Sequence, residues 1–242
     1  MSDMLTTSRL RLDRAKDLLI RSRALIFDVD GTLAETEEVH RQAFNAAFVK
    51  ANLDWCWGPA AYKDLLRVAG GKERIRAFDR LRGGASGLAE AEIVEIHRVK
   101  TTIYGELIAN RGCPLRPGVE ALLTAALTRG QRLAIATTTS RGNIDALLAS
   151  ALGNDWADSF AAIVAGDEVT NKKPAPDVYL EILSRLNLPA SECLAIEDSG
   201  IGLAAASSAG IPVLISRSAY FRGDDFSAAL LAVDDLTDVT VL

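Results

Sequence analysis

Five short apolar runs recur along the chain, and none of them alternates with polar residues. They cover residues 24–27, 133–136, 160–165, 193–196 and 212–215. Each has the length of a strand, and continuous apolar runs are typical of parallel strands covered on both faces. Helical patterns precede the last four runs, at residues 117–129, 143–152, 176–186 and 199–209. The alternation predicts an α/β fold with a doubly wound, Rossmann-like parallel sheet.

The stretch between the first and second runs breaks this alternation. It lacks an apolar strand run and instead shows helical patterns at residues 37–51, 60–68, 72–81 and 89–109. We therefore expect an inserted α-helical cap subdomain (36–113) on a sheet core (24–35 and 114–242). Residues 1–23 are interpreted as an N-terminal leader compatible with a short amphipathic helix.

Composition narrows the classes of partner. The chain has 242 residues, 49% hydrophobic content and a net charge of −5, so nucleic acid is not an expected partner. No apolar run approaches the ~20 residues of a membrane span, and the leader has no apolar signal-peptide core. We expect a cytoplasmic protein without a membrane partner. The number of subunits stays open, with a monomer as one expectation.

Polar side chains follow the apolar runs, where the carboxyl ends of parallel strands meet at one edge of a sheet. Ligands bind at that edge in open α/β folds, so convergent polar groups there indicate a site. These residues are Asp28 and Asp30 after the first run, Thr137 and Thr138 after the second, Lys172 and Lys173 beyond the third, and Glu197 and Asp198 after the fourth.

The residue types indicate phosphate chemistry. Carboxylates without a softer partner suit Mg²⁺, and Thr137 and Lys173 can bind an anion beside such a metal. A carboxylate such as Asp28 can attack phosphorus and form an aspartyl phosphate. Asp30 diverges from Asp28 once the strand ends, so it can act as general acid and then as general base.

Four segments occur in the order of the motifs of the haloacid dehalogenase superfamily, which the chain resembles from residue 24 onward. They are DVDGT (28–32), Thr137, Lys173 within KKPAPDVY, and EDS (197–199). The resemblance implies that Asp28 is the nucleophile and Asp30 the acid/base. It implies metal ligation by Asp28, the backbone carbonyl of Asp30, and Asp198, with Glu197 as a water-mediated ligand. Lys172 is assigned to solvent.

A helical cap between the first two motifs resembles the β-phosphoglucomutase-like group. Within it, DVDGTLAETEEVHRQAF, GGKERI, ATTTS and KKPAPDVY resemble the CbbY-type phosphatases. Glu35 supports this narrower resemblance, because many relatives in the wider group carry aspartate there. The implied reaction is Mg²⁺-dependent removal of the 1-phosphate from a small sugar bisphosphate, xylulose 1,5-bisphosphate, to give xylulose 5-phosphate.

Further residues are predicted to bind the substrate. His40 lies one helical turn after Thr36, on the face beside the catalytic turn; the alternative is a histidine satisfied by the backbone. Lys72 and Arg74 follow two glycines and could hold the second phosphate of a bisphosphate; a solvated helix start is the alternative. The remaining candidates near the first two motifs are Gly31, Thr32, Glu35 and Thr138.

Two other functions stay open at this stage. A sugar phosphomutase of the β-phosphoglucomutase type would use the same scaffold but protect its aspartyl phosphate from water. A non-enzymatic phospho-receiver module also combines aspartates, a hydroxyl and a lysine on a doubly wound sheet. A receiver needs its phosphorylated aspartate on a later strand, away from the acidic pair, and here the second run ends in threonines.

Overall fold

The computed structural model describes residues 2–83 and 87–239, and the side chains from residue 9 onward. A parallel sheet with the strand order β3-β2-β1-β4-β5-β6 forms its centre, and helices cover both faces. The α/β fold with an inserted helical cap is confirmed. The strands are β1 (Ala24–Phe27), β2 (Arg132–Ala136), β3 (Phe160–Val164), β4 (Cys193–Glu197), β5 (Val213–Ser216) and β6 (Leu231–Val233).

Alternate residues of β1 explain why its apolar run is continuous. Leu25 and Phe27 face one buried cluster, and Ala24 and Ile26 face the other. Both faces exclude water, so neither can be polar. The helices are α1 (Ser2–Arg21), α2 (Glu37–Lys50), α3 (Pro59–Leu65), α4 (Gly71–Leu81), α5 (Glu90–Arg111), α6 (Val119–Thr128), α7 (Arg141–Leu152), α8 (Asp177–Leu186) and α9 (Gly200–Ser208).

The inserted stretch consists of α2, α3, α4 and α5, which pack around buried aromatic rings. Trp57 lies at the centre, with ring centroids 4.7 Å from both Phe44 and Phe48. The exact limits of leader, cap and core stay a proposal. Residue 1, residues 84–86 and residues 240–242, which those predicted segments include, lie outside the described residues.

Two linkers connect core and cap and run side by side: the first joins β1 to α2, and the second joins α5 to α6. Ala34 of the first linker forms an antiparallel bridge with Leu115 of the second. The backbone N–H of Arg116 donates to the Leu33 carbonyl at 2.8 Å. The cap therefore joins the core directly beside the carboxyl end of β1.

Two elements differ from the sequence-based expectation. The leader forms α1, a 20-residue helix rather than a short one. It docks on the core through buried Ala15 and Leu19. The three-residue edge strand β6 was not predicted. A run of three residues is too short for its sequence pattern to distinguish a strand from a loop.

Candidate active site

The two aspartates that follow β1 point in different directions, as the sequence predicts. The Asp28 carboxylate faces the core and accepts a hydrogen bond from Lys173 Nζ at 2.7 Å. The Asp30 carboxylate faces the cap and accepts from Thr36 Oγ1 at 2.6 Å and from His40 Nε2 at 2.9 Å. The turn after β1 therefore places one carboxylate against the core and the other against the cap.

Gly31 makes this turn possible. Its φ of +80° lies in the left-handed region, and a Cβ there would come within 2.0 Å of Asp198 Oδ2. The close approach brings the turn that carries Asp30 against the acidic residues that follow β4.

Three carboxylates meet at this edge of the sheet. Asp28, Glu197 and Asp198 are all buried, and each offers an oxygen within 4.8 Å of the others. Asp198 Oδ2 is buried without a hydrogen-bond partner among the described residues. Burial, opposed by the charge of Lys173, raises the pKa of Asp28 to about 7. Burial and the neighbouring charges of Asp28 and Glu197 raise the pKa of Asp198 well above its ordinary value.

This donor set fits a hard divalent cation. Closely spaced buried carboxylates repel each other, and a bound dication would neutralise that repulsion. It would also provide a partner for the unpartnered oxygen of Asp198. The oxygens of Glu197 are already engaged. Oε1 accepts from Lys173 Nζ and Tyr179 Oη, each at 2.6 Å, and Oε2 accepts from the Asp198 N–H at 3.3 Å.

Lys173 holds this cluster together. Besides the two carboxylates, its ammonium donates to the Ala136 carbonyl at 2.9 Å, so all three of its protons are used. Although burial lowers the pKa of Lys173, the charges of Asp28 and Glu197 raise it above the usual range. We refer to Asp28, Lys173, Glu197 and Asp198 as the core cluster.

A second group of buried polar residues faces the core cluster from the cap. We refer to Glu37, His40, Tyr62, Arg74 and Lys100 as the cap cluster. Glu37 Oε2 accepts from Tyr62 Oη at 2.9 Å, and Arg74 donates to the same hydroxyl at 3.1 Å. Burial, partly offset by the charge of Arg74, raises the pKa of Glu37 to about 7.

His40 connects the cap cluster to Asp30. Its ring stacks on Tyr104 with centroids 4.2 Å apart, and its Nδ1 lies 2.5 Å from Lys100 Nζ. Burial lowers the pKa of His40 to about 4, so the imidazole is neutral near pH 7. A protonated lysine can only donate. Nδ1 then accepts from Lys100, and Nε2–H donates to Asp30.

This contact affects the Asp30 carboxyl. Although burial raises the pKa of Asp30, the charge that His40 carries when it is protonated, followed by the hydrogen bonds of His40 and Thr36, holds the pKa of Asp30 below the usual range. Burial also lowers the pKa of Lys100, to about 7. The cap thus keeps Asp30 as a carboxylate in the ligand-free protein.

A cleft of about 790 Å³, including its open mouth, separates the two clusters. Thr137 and Thr138, at the end of β2, line it, and so does Phe221 from the loop that follows β5. Thr137 is 1% exposed, and its hydroxyl accepts from the Thr139 N–H at 3.3 Å. Charged and hydroxyl groups from core and cap therefore face one enclosed space.

Comparison with known proteins identifies the family. The model of haloacid dehalogenase-like hydrolases matches residues 22–210. Protein CbbY of Rhodobacter capsulatus is 54% identical over 215 residues, which span 89% of this chain and 94% of that protein. The chain belongs to the haloacid dehalogenase-like hydrolases.

Two crystal structures support the same assignment. CbbY from Rhodobacter sphaeroides in complex with phosphate has a TM-score of 0.83 and 42% identity, over 89% of this chain and 95% of that one. A mutant of the same protein in complex with xylulose 1,5-bisphosphate has a TM-score of 0.84 and 41% identity, with the same coverage. The chain is a CbbY-type phosphatase, and the receiver alternative is without support.

Most predicted site residues of this hydrolase line the cleft. The lining contains the core residues Asp28, Asp30, Thr137, Thr138, Lys173 and Asp198 and the cap residues His40, Lys72 and Arg74. Glu197 lies directly behind Asp198.

Three predicted substrate-binding residues lie outside the cleft lining. The Glu35 carboxylate is turned away from the cleft, because the Ala219 N–H donates to it at 3.2 Å and Arg116 Nε lies at the same distance. Thr32 is fully buried beneath the turn. Gly31 presses against Asp198 and has no side chain to offer. None of the three lines the cleft, and their contact with the substrate stays a prediction.

The expectation that Lys172 faces solvent was wrong. Its ammonium donates to the carbonyls of Gly166 and Val169, at 2.7 and 2.6 Å, and its side chain is half-buried beside the cleft. Lys72 pairs with Asp167 across the gap between cap and core at 2.9 Å.

Sequence reasoning missed three residues of the cap cluster. Glu37 and Tyr62 carried no recognisable signal. Lys100 did carry one, because it occupies an apolar helical stripe with Ile93, Ile96 and Ile103. A lysine in such a stripe is expected to be buried and paired.

Among the described residues, the helices are either too short or too polar to cross a lipid bilayer.

Proposed function

We propose that this phosphatase removes one phosphate from a small sugar bisphosphate, xylulose 1,5-bisphosphate, in a Mg²⁺-dependent reaction that passes through an aspartyl phosphate on Asp28. The observation that carries the proposal is the position of Asp28. Its carboxylate lies at the floor of the cleft, between Lys173 and the buried oxygen of Asp198. The likeness to a CbbY structure in complex with xylulose 1,5-bisphosphate supports the choice of substrate.

The metal would be held by Asp28, by Asp198 and by the backbone carbonyl of Asp30, with Glu197 contributing through water. When bound, a divalent cation neutralises charge on the phosphate oxygens and on the attacking carboxylate. Lys173 supplies a further positive charge on the opposite side of Asp28, and the Thr137 hydroxyl can donate to a phosphate oxygen.

The first step transfers the phosphoryl group to the protein. The free oxygen of Asp28 attacks phosphorus, the bond between phosphorus and the sugar oxygen breaks, and Asp30 gives its proton to the leaving alkoxide. Asp30 must therefore gain a proton when the substrate binds. An incoming phosphate dianion raises the pKa of a neighbouring carboxyl group and favours that protonation.

The second step restores the protein. Asp30, now a carboxylate, takes a proton from water while the water oxygen attacks phosphorus and the bond from phosphorus to Asp28 breaks. Inorganic phosphate leaves, Asp28 is again a carboxylate, and Asp30 releases to solvent the proton that it took from water. The neutral His40, held between Asp30 and Lys100, keeps the carboxyl group of Asp30 oriented in both steps.

The cap cluster suits the rest of the substrate. Arg74 carries positive charge into a space that an anionic sugar would fill, and Lys72 lies nearby in the cleft lining. An incoming phosphate would also favour the protonated form of Lys100. Glu37 would repel a phosphate but can accept hydrogen bonds from sugar hydroxyls. We therefore assign Lys72 and Arg74 to the second phosphate and Glu37 to the carbon chain.

Phosphate release from three compounds tests this function. With Mg²⁺, turnover on xylulose 1,5-bisphosphate should exceed that on ribulose 1,5-bisphosphate and on β-glucose 1-phosphate. EDTA should abolish turnover, and added Mg²⁺ should restore it. Conversion of β-glucose 1-phosphate to glucose 6-phosphate without phosphate release would instead indicate a phosphomutase. Full activity in metal-free buffer would contradict the role given to the acidic residues.

A further inference from the structure

Arg116 lies in the second linker between core and cap. Its guanidinium is buried, but the residue is not part of the cleft lining. The residue is 8% exposed. Its Nε lies 3.2 Å from a Glu35 oxygen. Its terminal nitrogens donate to four backbone carbonyls, those of Gly31 at 2.5 Å, Ser216 at 2.8 Å, Arg217 at 2.6 Å and Asp234 at 3.0 Å.

The four carbonyls belong to three loops at the carboxyl edge of the sheet. Gly31 is in the turn after β1, Ser216 is the last residue of β5 and Arg217 follows it, and Asp234 follows β6. A guanidinium presents its donors in a fixed planar fork, so the spacing of these loops is set by one rigid group. A lysine ammonium has only three donors and no such plane, and it could not satisfy the same set of acceptors.

The turn held in this way carries catalytic groups. Gly31 directly follows Asp30, and its α-carbon packs so closely on Asp198 that a Cβ would lie 2.0 Å from Oδ2. A shift of the Gly31 carbonyl would therefore move the Asp30 backbone relative to Asp198. Arg116 itself is not among the residues that line the cleft.

The ion pair with Glu35 extends the same connection to the first linker. The Glu35 carboxylate also accepts from the Ala219 N–H, in the loop that follows β5. Both linkers and the loop after β5 thus meet at one guanidinium. A cap that moves must bend at these linkers, and Arg116 fixes the catalytic turn to the core at that point.

We propose that Arg116 is a positioning residue for the reaction, which holds the turn of Asp30 and Gly31 in place against Asp198. The inference rests on the proposed function in that Asp30 and Asp198 must both act at the reacting phosphate. Residues behind metal ligands and catalytic groups typically change metal affinity or activity by about 10- to 100-fold when altered, and small displacements of reacting groups have effects of similar size.

The test compares Arg116→Ala and Arg116→Lys with a matched control, Arg132→Ala. Arg132 also donates to a backbone carbonyl, that of Leu186 at 2.7 Å, but it lies at the opposite end of its strand from the cleft. Each folded variant is assayed with an aryl phosphate, so that the result does not depend on the identity of the sugar. Binding of Mn²⁺ to the protein alone is followed by electron paramagnetic resonance.

For Arg116→Ala we expect kcat to fall about 10- to 100-fold and the Mn²⁺ dissociation constant to rise about tenfold. KM for the aryl phosphate should stay within about threefold, because Arg116 does not contact the substrate. Millimolar guanidinium should restore part of the kcat of Arg116→Ala. The kcat of Arg116→Lys should stay below that of the rescued Arg116→Ala enzyme. Arg132→Ala should keep wild-type kcat and Mn²⁺ affinity, with or without guanidinium.

Two results would overturn the inference. One is an Arg116→Ala protein with a lowered melting temperature but wild-type kcat and Mn²⁺ affinity, as for Arg132→Ala. The other is failure of both Arg116 variants to fold, which would assign the residue to stability alone. Absence of wild-type turnover on any phosphoester would instead contradict the proposed function. Failure of the proposed function and failure of the Arg116 inference therefore give different results.

Discussion

The core cluster and the cap cluster face each other across one cleft, yet they are built in different ways. The core cluster stands on the ends of parallel strands and combines three carboxylates with one ammonium. The cap cluster stands on helices and combines one carboxyl group, Glu37, with the cation Arg74, the amine of Lys100 and a neutral imidazole. The core side therefore attracts a metal cation and the cap side attracts an anionic substrate.

The means of support differ as well. The core cluster is fixed by the register of β1, β2 and β4, because Asp28 continues the ladder by donating its N–H to the Ile196 carbonyl at 3.0 Å. The cap cluster is fixed by aromatic rings: Lys100 lies 5.0 Å from the centroids of both Phe44 and Tyr104. On the proposed function, we expect the core to perform the chemistry and the cap, apart from His40, to select the substrate. Substitutions in the core should thus act on kcat, and those of cap residues other than His40 should act on KM.

The largest expected effect is that of Asp28→Asn. An amide cannot form the acyl phosphate, so kcat should fall by about 10⁴-fold or more while the fold is kept. Phosphate release and circular dichroism measure the two outcomes. Retention of more than about a tenth of wild-type activity would remove Asp28 from the role of nucleophile.

The next largest effect is expected for Lys173→Met. Without the ammonium, the buried Asp28 and Glu197 carboxylates lose their shared donor. We expect kcat to fall about 10²- to 10³-fold and the free energy of unfolding to fall by about 3–5 kcal/mol. Lys172→Met is the matched control, because Lys172 donates only to backbone carbonyls. Equal losses in the two variants would mean that the core cluster does not depend on Lys173.

The cap side is tested by Glu37→Gln. The amide keeps a partner for the Tyr62 hydroxyl but loses the charge beside Arg74. We expect KM for the sugar bisphosphate to rise about tenfold, the equivalent of one lost hydrogen bond to a charged group, with kcat within about threefold. Glu38→Gln serves as control, because the Glu38 carboxylate accepts hydrogen bonds from Arg41 and Gln42. A change in kcat without a change in KM would break the division between the two clusters.

The sequence revealed these two regions to different extents. The strands of the core cluster were readable because two buried faces leave a continuous apolar run, and the residues after each run then lie at one edge. Strand β6 was missed because three residues at an edge carry too little pattern. The cap cluster depends on how α2, α3, α4 and α5 pack together, which helical periodicity does not specify. The contact between Glu35 and Arg116 could not be predicted, because the two residues are distant in sequence.

The smallest expected effect is that of Lys72→Ala. Its ion pair with Asp167 is partly exposed, with side chains 29% and 48% accessible, so the free energy of unfolding should change by no more than about 1 kcal/mol. If Lys72 holds the second phosphate, KM should rise for a sugar bisphosphate and stay constant for a monophosphate. An Asp167→Asn variant controls for loss of the ion pair alone. An equal rise in KM for both substrates would argue against a phosphate contact.

The central claim, an aspartyl phosphate on Asp28 that is formed and hydrolysed with the help of Asp30, is tested most directly in Asp30→Asn. An aryl phosphate needs no proton on its leaving group, so Asp28 should still be phosphorylated, whereas hydrolysis should stall without a base to activate water. Intact-protein mass spectrometry should then show a gain of ~80 Da, and peptide mapping should place it on Asp28. Consumption of the aryl phosphate with no mass gain, or a gain on another residue, would contradict the account.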